Sequence, residues 1–438
     1  MKNLYIKNYG CQMNVHDAAR MEALLRDAMG YVSVEEPTEA DLIILNTCHI
    51  REKAAEKIFS ELGRLRKMVE GRPVIFAVGG CVGQAEGDNI FRRAPFVSLV
   101  FGPQNYHRLP AMLRKLEREG GRIGDQEESV DSKFDALPAI TAPGPIASVV
   151  VQEGCNRFCA YCVVPFTRGR EWSRPVEAIL DETAGLIGAG AREIHLLGQN
   201  VNAYQAMDRH GVVHDLALLV RQVALVPGVE RIRFVTSHPA DMNDDLVDVF
   251  AQVESLCPYL HLPIQSGSDR VLARMERGHT VAEYLGWIDR LRQVAPGIAL
   301  ASDFIVGFPG ESEEDFQQTL DLVQRVGFDH AYSFVFSSRP GTVAADMEDP
   351  VPLEVGQHRL ARLQEVLQAI QLQKNLARVG CVEAVLVEGQ AKRGTGELTG
   401  RTLHGRTVNF PGDPGLIGHV VSVMVTEGLP NSLRGRLA

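Results

Sequence analysis

Residues 154 to 162 read Gly-Cys-Asn-Arg-Phe-Cys-Ala-Tyr-Cys, so Cys155, Cys159 and Cys162 recur at a C-x3-C-x2-C spacing directly after the apolar run Ser148 to Val151. Three thiols in one tight loop ask for a metal, because thiolates are soft ligands suited to iron-sulfur clusters and zinc. A full site of either kind usually takes four such ligands, and here the fourth is missing. A 4Fe-4S cube held by three cysteines leaves one iron without a protein ligand, and that open position is where a substrate or cofactor can bind. Zinc is the plainer alternative, but C-x3-C-x2-C is not the usual zinc spacing of C-x2-C pairs, and no nearby His completes a tetrahedron.

The loop has ample chain around it. A length of 438 residues is too much for one ordinary core and predicts two or three domains. With 45% hydrophobic and 23% charged residues the composition is that of a soluble globular protein. The opening Met-Lys-Asn-Leu-Tyr-Ile-Lys-Asn carries charges where a signal peptide needs an apolar core, and no apolar run approaches a membrane span, so a cytoplasmic protein with no membrane partner is expected. Eight sparse cysteines, three of them clustered, suit ligands better than a disulfide framework. A net charge of −10 argues against nonspecific coating of nucleic acid, while leaving room for a local basic site.

Residues 1–118 alternate short apolar strands (Leu4 to Ile6, Leu42 to Leu45, Val74 to Val78, Val97 to Phe101) with helices whose apolar stripes include Met21, Leu24, Leu25 and Ala28, then Leu109, Met112, Leu113 and Leu116. This predicts a small α/β domain with a mostly parallel sheet. Cys11, Cys48 and Cys81 each follow one of its strands. In open parallel sheets the carboxyl ends of neighbouring strands share one ligand-binding edge, so three cysteines far apart in sequence can meet there. Each alone reads as a small buried hydrophobe; the repeated position, with Gly beside Cys11 and Cys81, favours a second three-cysteine cluster site. Cys257 and Cys381 share no such placement and stay ordinary.

Periodicity stops over 119–147, which reads as a linker. The βα rhythm resumes over 148–375, with strands near Val149, Ile194 to Leu197, Ile232 to Val235, Leu260 to Leu262, Leu300 to Val306 and Ser333 to Phe336, which predicts a partial (β/α)6 barrel with its site at the strand carboxyl ends. There Gln199, Ser237, Gln265 and Asp303 are candidate ligand contacts, while Gly307 and Gly310 are expected to let backbone approach a cofactor closely. Taken singly each polar residue could be a turn or cap, as Ser268 could cap the next helix. His238 and His261 lie on the same face and are given no metal.

Residues 376–438 alternate apolar and polar positions between Gly and Pro, as a small antiparallel β-barrel does. Seven Lys or Arg against five Asp or Glu make this segment +2 on a chain otherwise −12. Lys392, Arg393, Arg401 and Arg406 fall in or beside its turns and are candidate contacts for a polyanion, although a solvated face explains the charge equally well.

The cysteine spacing, with Tyr161 before the last Cys, resembles the signature of the radical S-adenosylmethionine (SAM) superfamily, and over nearly the whole chain the layout resembles the methylthiotransferases. The MiaB-type branch is similar at Asn46-Thr-Cys-His-Ile-Arg-Glu-Lys53, Val163-Val-Pro-Phe-Thr-Arg-Gly169, Gly198-Gln-Asn-Val-Asn-Ala-Tyr204 and Thr236-Ser-His-Pro239. The resemblance implies an N-terminal α/β methylthiotransferase domain, a radical SAM core and a C-terminal TRAM barrel that binds RNA. It implies two 4Fe-4S clusters, one on Cys155, Cys159 and Cys162 that cleaves SAM, and an auxiliary one on Cys11, Cys48 and Cys81 that carries sulfur. SAM contacts would be Tyr161, Gln199, Ser237, Gln265 and Asp303. The implied reaction methylthiolates N6-isopentenyladenosine beside the anticodon of tRNA, with a small electron-donor protein as partner and a monomer as the working form. Sister branches act on threonylcarbamoyladenosine tRNA or a ribosomal protein. A noncatalytic iron-sulfur RNA-binding protein is the alternative from another class, and two three-ligand sites weigh against it because a structural cluster would be expected to have four cysteines.

Overall fold

Short apolar runs separated by amphipathic stripes can bury both faces of a sheet only if helices cover each side. The computed structural model, which describes residues 2–48, 52–127, 133–134, 138, 144–392 and 396–438, follows that rule. Strands β1 Lys2–Tyr9, β2 Tyr31–Ser33, β3 Leu42–Thr47, β4 Ile75–Gly79, β5 Val97–Phe101 and β6 Ile123–Asp125 form one sheet in the order β2-β1-β3-β4-β5-β6. Every neighbouring pair in it is parallel. Helices α1 Gln12–Met29 and α5 Leu109–Glu119 cover one face through Met21, Leu25 and Leu113. Helices α2 Glu52–Met68, α3 Cys81–Glu86 and α4 Asp88–Arg93 cover the other through Ile58, Leu62, Val82 and Ile90. Helix α1 stops at Gly30, whose φ of 69° is the left-handed conformation glycine adopts without strain.

Two of these strands were not expected. β2 and β6 have three residues each, too few for an alternation to register, yet β6 pairs with β5 and carries the first sheet beyond residue 118 to Asp125. Of the expected linker, residues 128–132, 135–137 and 139–143 lie outside the described residues.

The second βα series supplies β7 Ile146–Val150, β8 Glu193–Leu197, β9 Arg231–Val235, β10 Tyr259–His261, β11 Ala299–Val306 and β12 His330–Val335. Helix α6 Val164–Arg168 and then α7 Val176–Gly188, α8 Leu216–Ala224, α9 Asp244–Gln252, α10 Asp269–Arg274, α11 Val281–Val294 and α12 Glu313–Val326 alternate with them. The strands make two parallel three-stranded sheets, β9-β8-β7 and β10-β11-β12. These are joined by Ile232 N–H to Ser255 O at 2.7 Å, Cys257 N–H to Ile232 O at 2.9 Å and Ser237 N–H to His261 O at 3.3 Å. Among the described strands β7 and β12 do not pair, so the six form an open wall, the partial barrel that the βα rhythm predicts. Capping boxes fix the starts of α11 (Thr280 with Glu283) and α12 (Ser312 with Asp315), each satisfying otherwise orphaned N–H groups.

Helix α13 Leu353–Leu376 leads into the last module, where β13 Val382–Gln390, β14 Glu397–Thr402, β15 Thr407–Pro411, β16 Val420–Gly428 and β17 Leu433–Leu437 close a barrel in the order β13-β14-β15-β17-β16. Its interior is Val385, Val387, Leu398, Val408, Phe410, Val423, Val425 and Leu433. The expected purely antiparallel barrel is corrected at one seam: β15 and β17 run parallel. A closed ring with an odd number of strands cannot alternate direction all the way round, so one parallel pair is unavoidable.

Contacts divide the chain into two units, one of residues 1–140, 153–172 and 337–342, the other of 141–152, 173–336 and 343–438. The loop bearing Cys155, Cys159 and Cys162 thus groups with the first sheet. No described helix is long and apolar enough to cross a membrane.

Candidate active site

Because β1, β3 and β4 are adjacent and parallel, whatever follows each of them emerges on one edge. Cys11 is the N-cap of α1, Cys48 follows β3 directly with its N–H bonded to Tyr9 O at 2.9 Å, and Cys81 opens α3. The Cys48 thiol is within hydrogen-bond reach of both Cys11 and Cys81. Its hydrogen bonds draw the Cys11 and Cys81 thiols down to about 6 against the opposing effect of burial, helped by the positive charge of Arg168. Cys48 is pushed far up by the same two contacts. Two of the three thiols are thus biased towards the thiolate that binds metal, and a bound cation would draw the proton off the third.

Space is reserved by glycine. A Cβ on Gly10 would lie 2.6 Å from Cys48 Cβ, and one on Gly80, where φ is 82°, would lie 2.5 Å from Asn46 Oδ1. Asn46 and Asn14, both fully buried, brace the edge, with Asn46 Nδ2 donating to Asn14 O at 2.8 Å and Cys11 Sγ donating to Asn14 Oδ1 at 3.3 Å. Of the stretch Asn46 to Lys53, His49, Ile50 and Arg51 lie outside the described residues.

The second cysteine loop is pinned by its own backbone: Cys155 N–H bonds Gly169 O at 3.3 Å and Cys162 N–H bonds Cys159 O at 2.8 Å. A Cβ on Gly154 would sit 2.0 Å from Arg170 O, so only glycine allows the loop to close. Phe158, at φ 48°, holds a left-handed conformation that a non-glycine residue adopts under strain, and such strain concentrates at functional sites. Cys159 is buried, and Cys155, Cys162 and Tyr161 are half-buried. Among the described residues no three His, Cys, Asp or Glu side chains converge on a single metal ion. A cube does not need them to, since each thiolate binds a separate iron. The soft donors, the glycine cradle and the nearby guanidinium fit an anionic iron-sulfur cluster at the strand edge.

In the other unit the carboxyl ends of β9, β10 and β11 bring polar groups together. His261 Nδ1 accepts from Thr236 N–H at 3.3 Å, which leaves the proton on Nε2 to donate to Asp303 Oδ1 at 3.1 Å. Gln265 N–H bonds Asp303 O at 3.0 Å. Thr236 and Gln265 take positive φ values of 70° and 77°, a second pocket of strain in non-glycine residues. Ser237 is buried with an Oγ that has no partner among the described residues, which fits a polar ligand. Gln199 is half-buried, and its N–H, like that of Asn200, is held by Gln152 Oε1 at 2.9 and 3.2 Å.

Several sequence expectations change. Gly310 has a packing reason within the fold, since a Cβ there would lie 3.0 Å from the Arg274 guanidinium carbon, and one on Gly307 would lie 3.3 Å from Gly356 on α13. Arg406 is corrected too, since its buried guanidinium pairs with Asp329 and bonds Asn375 Oδ1 at 3.3 Å, which withdraws it from solvent. Arg401 is half-exposed and bonds Glu388 at 2.9 Å, Lys392 is exposed, and Arg393 lies outside the described residues. Ser268 caps α10, Cys257 is buried with its thiol pushed up to about 11 by desolvation, and His238 lends Nδ1 to Ala240 N–H at 3.2 Å. The His261–Asp303 pair was missed because the partners are 42 residues apart.

Residues 149–323 match the radical SAM superfamily, residues 3–102 the uncharacterized protein family UPF0004 and residues 377–438 the TRAM domain. The chain is therefore of the radical SAM class, with a TRAM module at its end. Among solved structures it resembles the cobalamin-dependent S-adenosylmethionine radical enzyme OxsB with aqua-cobalamin bound, at a TM-score of 0.55 and 14% identity over 84% of this chain. It spans 58% of OxsB's length. It also resembles the radical SAM methyltransferase TsrM from Kitasatospora setae with tryptophan substrate and aza-SAM bound, at 0.55 and 13% over 79% of this chain and 75% of that one. These likenesses carry the fold alone. In sequence it is 63% identical to a tRNA-2-methylthio-N(6)-dimethylallyladenosine synthase of Magnetococcus marinus over 100% of both chains, and 50% identical to one of Methylococcus capsulatus over 100% of this chain and 95% of that one. The chain belongs to the tRNA-2-methylthio-N(6)-dimethylallyladenosine synthase family of radical SAM methylthiotransferases.

Proposed function

We propose that this enzyme replaces the C2 hydrogen of N6-(dimethylallyl)adenosine, next to the anticodon of tRNA, by a methylthio group. The observation that carries the detail is the meeting of Cys11, Cys48 and Cys81 at three neighbouring strand ends in a chain that already has a three-cysteine loop. Cys155, Cys159 and Cys162 would hold the 4Fe-4S cluster that engages SAM, and Cys11, Cys48 and Cys81 a second one. When bound, these groups supply the electron that cleaves SAM and the sulfur that is inserted. The chain's own residues bind and orient. The His261 Nε2–H fixes the Asp303 carboxylate, and Ser237 Oγ, Gln265 and Gln199 offer hydrogen bonds to SAM at the same strand ends, with Tyr161 beside the cysteine loop. Lys392 and Arg393, with Arg401, offer the tRNA backbone positive charge. A small electron-transfer protein as donor and a cytoplasmic monomer complete the proposal.

Anaerobic reconstitution with iron and sulfide, followed by nucleoside mass spectrometry of tRNA treated with SAM and reductant, tests this. tRNA bearing dimethylallyladenosine should gain the methylthio group. tRNA bearing threonylcarbamoyladenosine should not, because burying its carboxylate without a partner costs on the order of several kcal/mol. Equal product from both would overturn the substrate assignment and leave the family standing.

A further inference from the structure

Arg168 closes α6, six residues beyond Cys162, and its side chain is only 3% exposed. Its Nη2 donates to Asp17 Oδ2 at 2.7 Å and its Nη1 reaches Glu153 Oε1 at 3.4 Å. Glu153 Oε1 also accepts from Lys133 Nζ at 2.6 Å, and Lys133 is itself fully buried. Two cations and two carboxylates thus cancel in the interior of one unit, and Gln104 Nε2, donating to Arg168 O at 3.0 Å, fixes the backbone beneath them. The anchors are telling. Asp17 lies on the helix that Cys11 opens, and Glu153 stands two residues before Cys155.

Buried ion pairs are a poor route to stability, because desolvation consumes most of the attraction and apolar residues of the same size would serve as well. A guanidinium, however, has five N–H donors in a rigid fork, more than the two carboxylates use. Arg168 sits on the short helix that packs against α3, which Cys81 opens, and its positive charge is felt at the Cys81 and Cys11 thiols.

We propose that Arg168 is a positioning residue for the cluster on Cys11, Cys48 and Cys81: clamped by Asp17 and Glu153, its guanidinium donates to the Cys81 sulfur and raises the reduction potential of that cluster. This rests on those three cysteines being the ligands. Hydrogen bonds and positive charge at cluster sulfurs stabilise the reduced, more negative state, which is the basis of the expected direction. The loop that carries one cysteine triad thereby supplies the outer shell of the other, so the two sites are built together.

The test uses the full chain with Cys155, Cys159 and Cys162 changed to Ala, leaving one triad, reconstituted anaerobically and titrated potentiometrically with electron paramagnetic resonance as the readout. Arg168→Lys keeps the charge but loses the fork, and should lower the midpoint potential with iron retained. Asp17→Glu, which keeps the countercharge but displaces the clamp by one methylene, should shift the potential the same way by less. An unchanged potential in both variants at full iron content would reduce Arg168 to a structural role and overturn the proposal. If Arg168→Lys loses its iron, Asp17→Glu decides alone by the same criterion. A folded parent that holds no iron would instead overturn the ligand assignment, a different failure.

Discussion

Asn202 turns its amide to both sides of a single residue: Nδ2 donates to His238 O at 2.9 Å and Oδ1 accepts from His238 N–H at 2.7 Å. Nearby, Asn200 Nδ2 donates to Asp241 Oδ2 at 2.7 Å and Tyr204 OH donates to Arg174 O at 2.9 Å. The stretches 198–204 and 236–239, two of the four that resemble the MiaB-type branch, are therefore locked to one another and to the core. Val201 N–H also bonds Thr236 O at 2.9 Å, which ties the first stretch to the strained residue under His261. Asn202→Ala should remove both of these hydrogen bonds, His238 O keeping the one from Asp241 N–H at 3.0 Å, and cost about 1–3 kcal/mol of stability, read as a lower urea midpoint at unchanged slope. It should also impair methylthiolation by releasing Thr236. A variant with the wild-type midpoint would show that the reciprocal pair contributes nothing.

At the scale of elements, the turn from β4 into α3 carries the heaviest demand. Gly80 has φ 82° and no room for a Cβ, whereas Gly71 has φ 83° and nothing within 4 Å. Gly71→Ala should cost only about 1 kcal/mol of backbone strain, while Gly80→Ala should cost about 1–3 kcal/mol and loosen iron from the Cys81 triad. Thermal melts and iron analysis on the protein lacking Cys155, Cys159 and Cys162 separate the two, and equal iron in both variants would count against the cradle. This edge was legible in the sequence, because a parallel sheet must bring the ends of adjacent strands together and the Gly-Cys pairs recur there. Strand β17 was not legible: its buried face is reduced to Leu433 and Gly435, with Arg434 and Arg436 on the opposite face, and only barrel closure recruits the segment. Arg406 misled for a related reason. A cation beside a turn looks solvated until the fold brings up Asp329, 77 residues away. The Arg168 network, likewise, draws on four separate segments that no local pattern connects.

At the scale of the molecule, the terminal barrel is fastened to the core at the amino ends of β8 and β9, the edge opposite His261 and Asp303. Arg231 donates to Arg401 O at 2.9 Å and to Ala384 O at 3.1 Å, while Arg233 donates to Thr402 O at 2.8 Å. Removing residues 377–438 would strand these guanidinium groups, so truncation should destabilise the core as well as weaken tRNA binding; a truncated core that melts like the full chain would refute this. A buried carboxylate stands beside these two arginines. Glu193 is fully buried, bonded to Arg233 Nε at 2.6 Å and to His195 Nε2 at 2.7 Å, with Arg231 at 3.8 Å. Burial alone would push its pKa up, but the His195 hydrogen bond and the Arg233 charge outweigh it and lower the value from an ordinary 4.5 to about 2. A carboxyl group depressed by folding contributes stability that is fully present above its unfolded value and is lost as pH falls through the folded one. The contribution is about 3 kcal/mol, present at neutral pH and lost between roughly pH 4.5 and 2. Glu193→Gln cannot carry the charge at any pH, so it should already be destabilised at pH 7. The gap between wild type and variant should then narrow as pH falls through that window, which cancels the acid sensitivity of every other carboxylate common to both. Urea midpoints for the two proteins from pH 7 downward measure the gap, and a difference that does not change with pH would mean that the charge on Glu193 does not hold the seam.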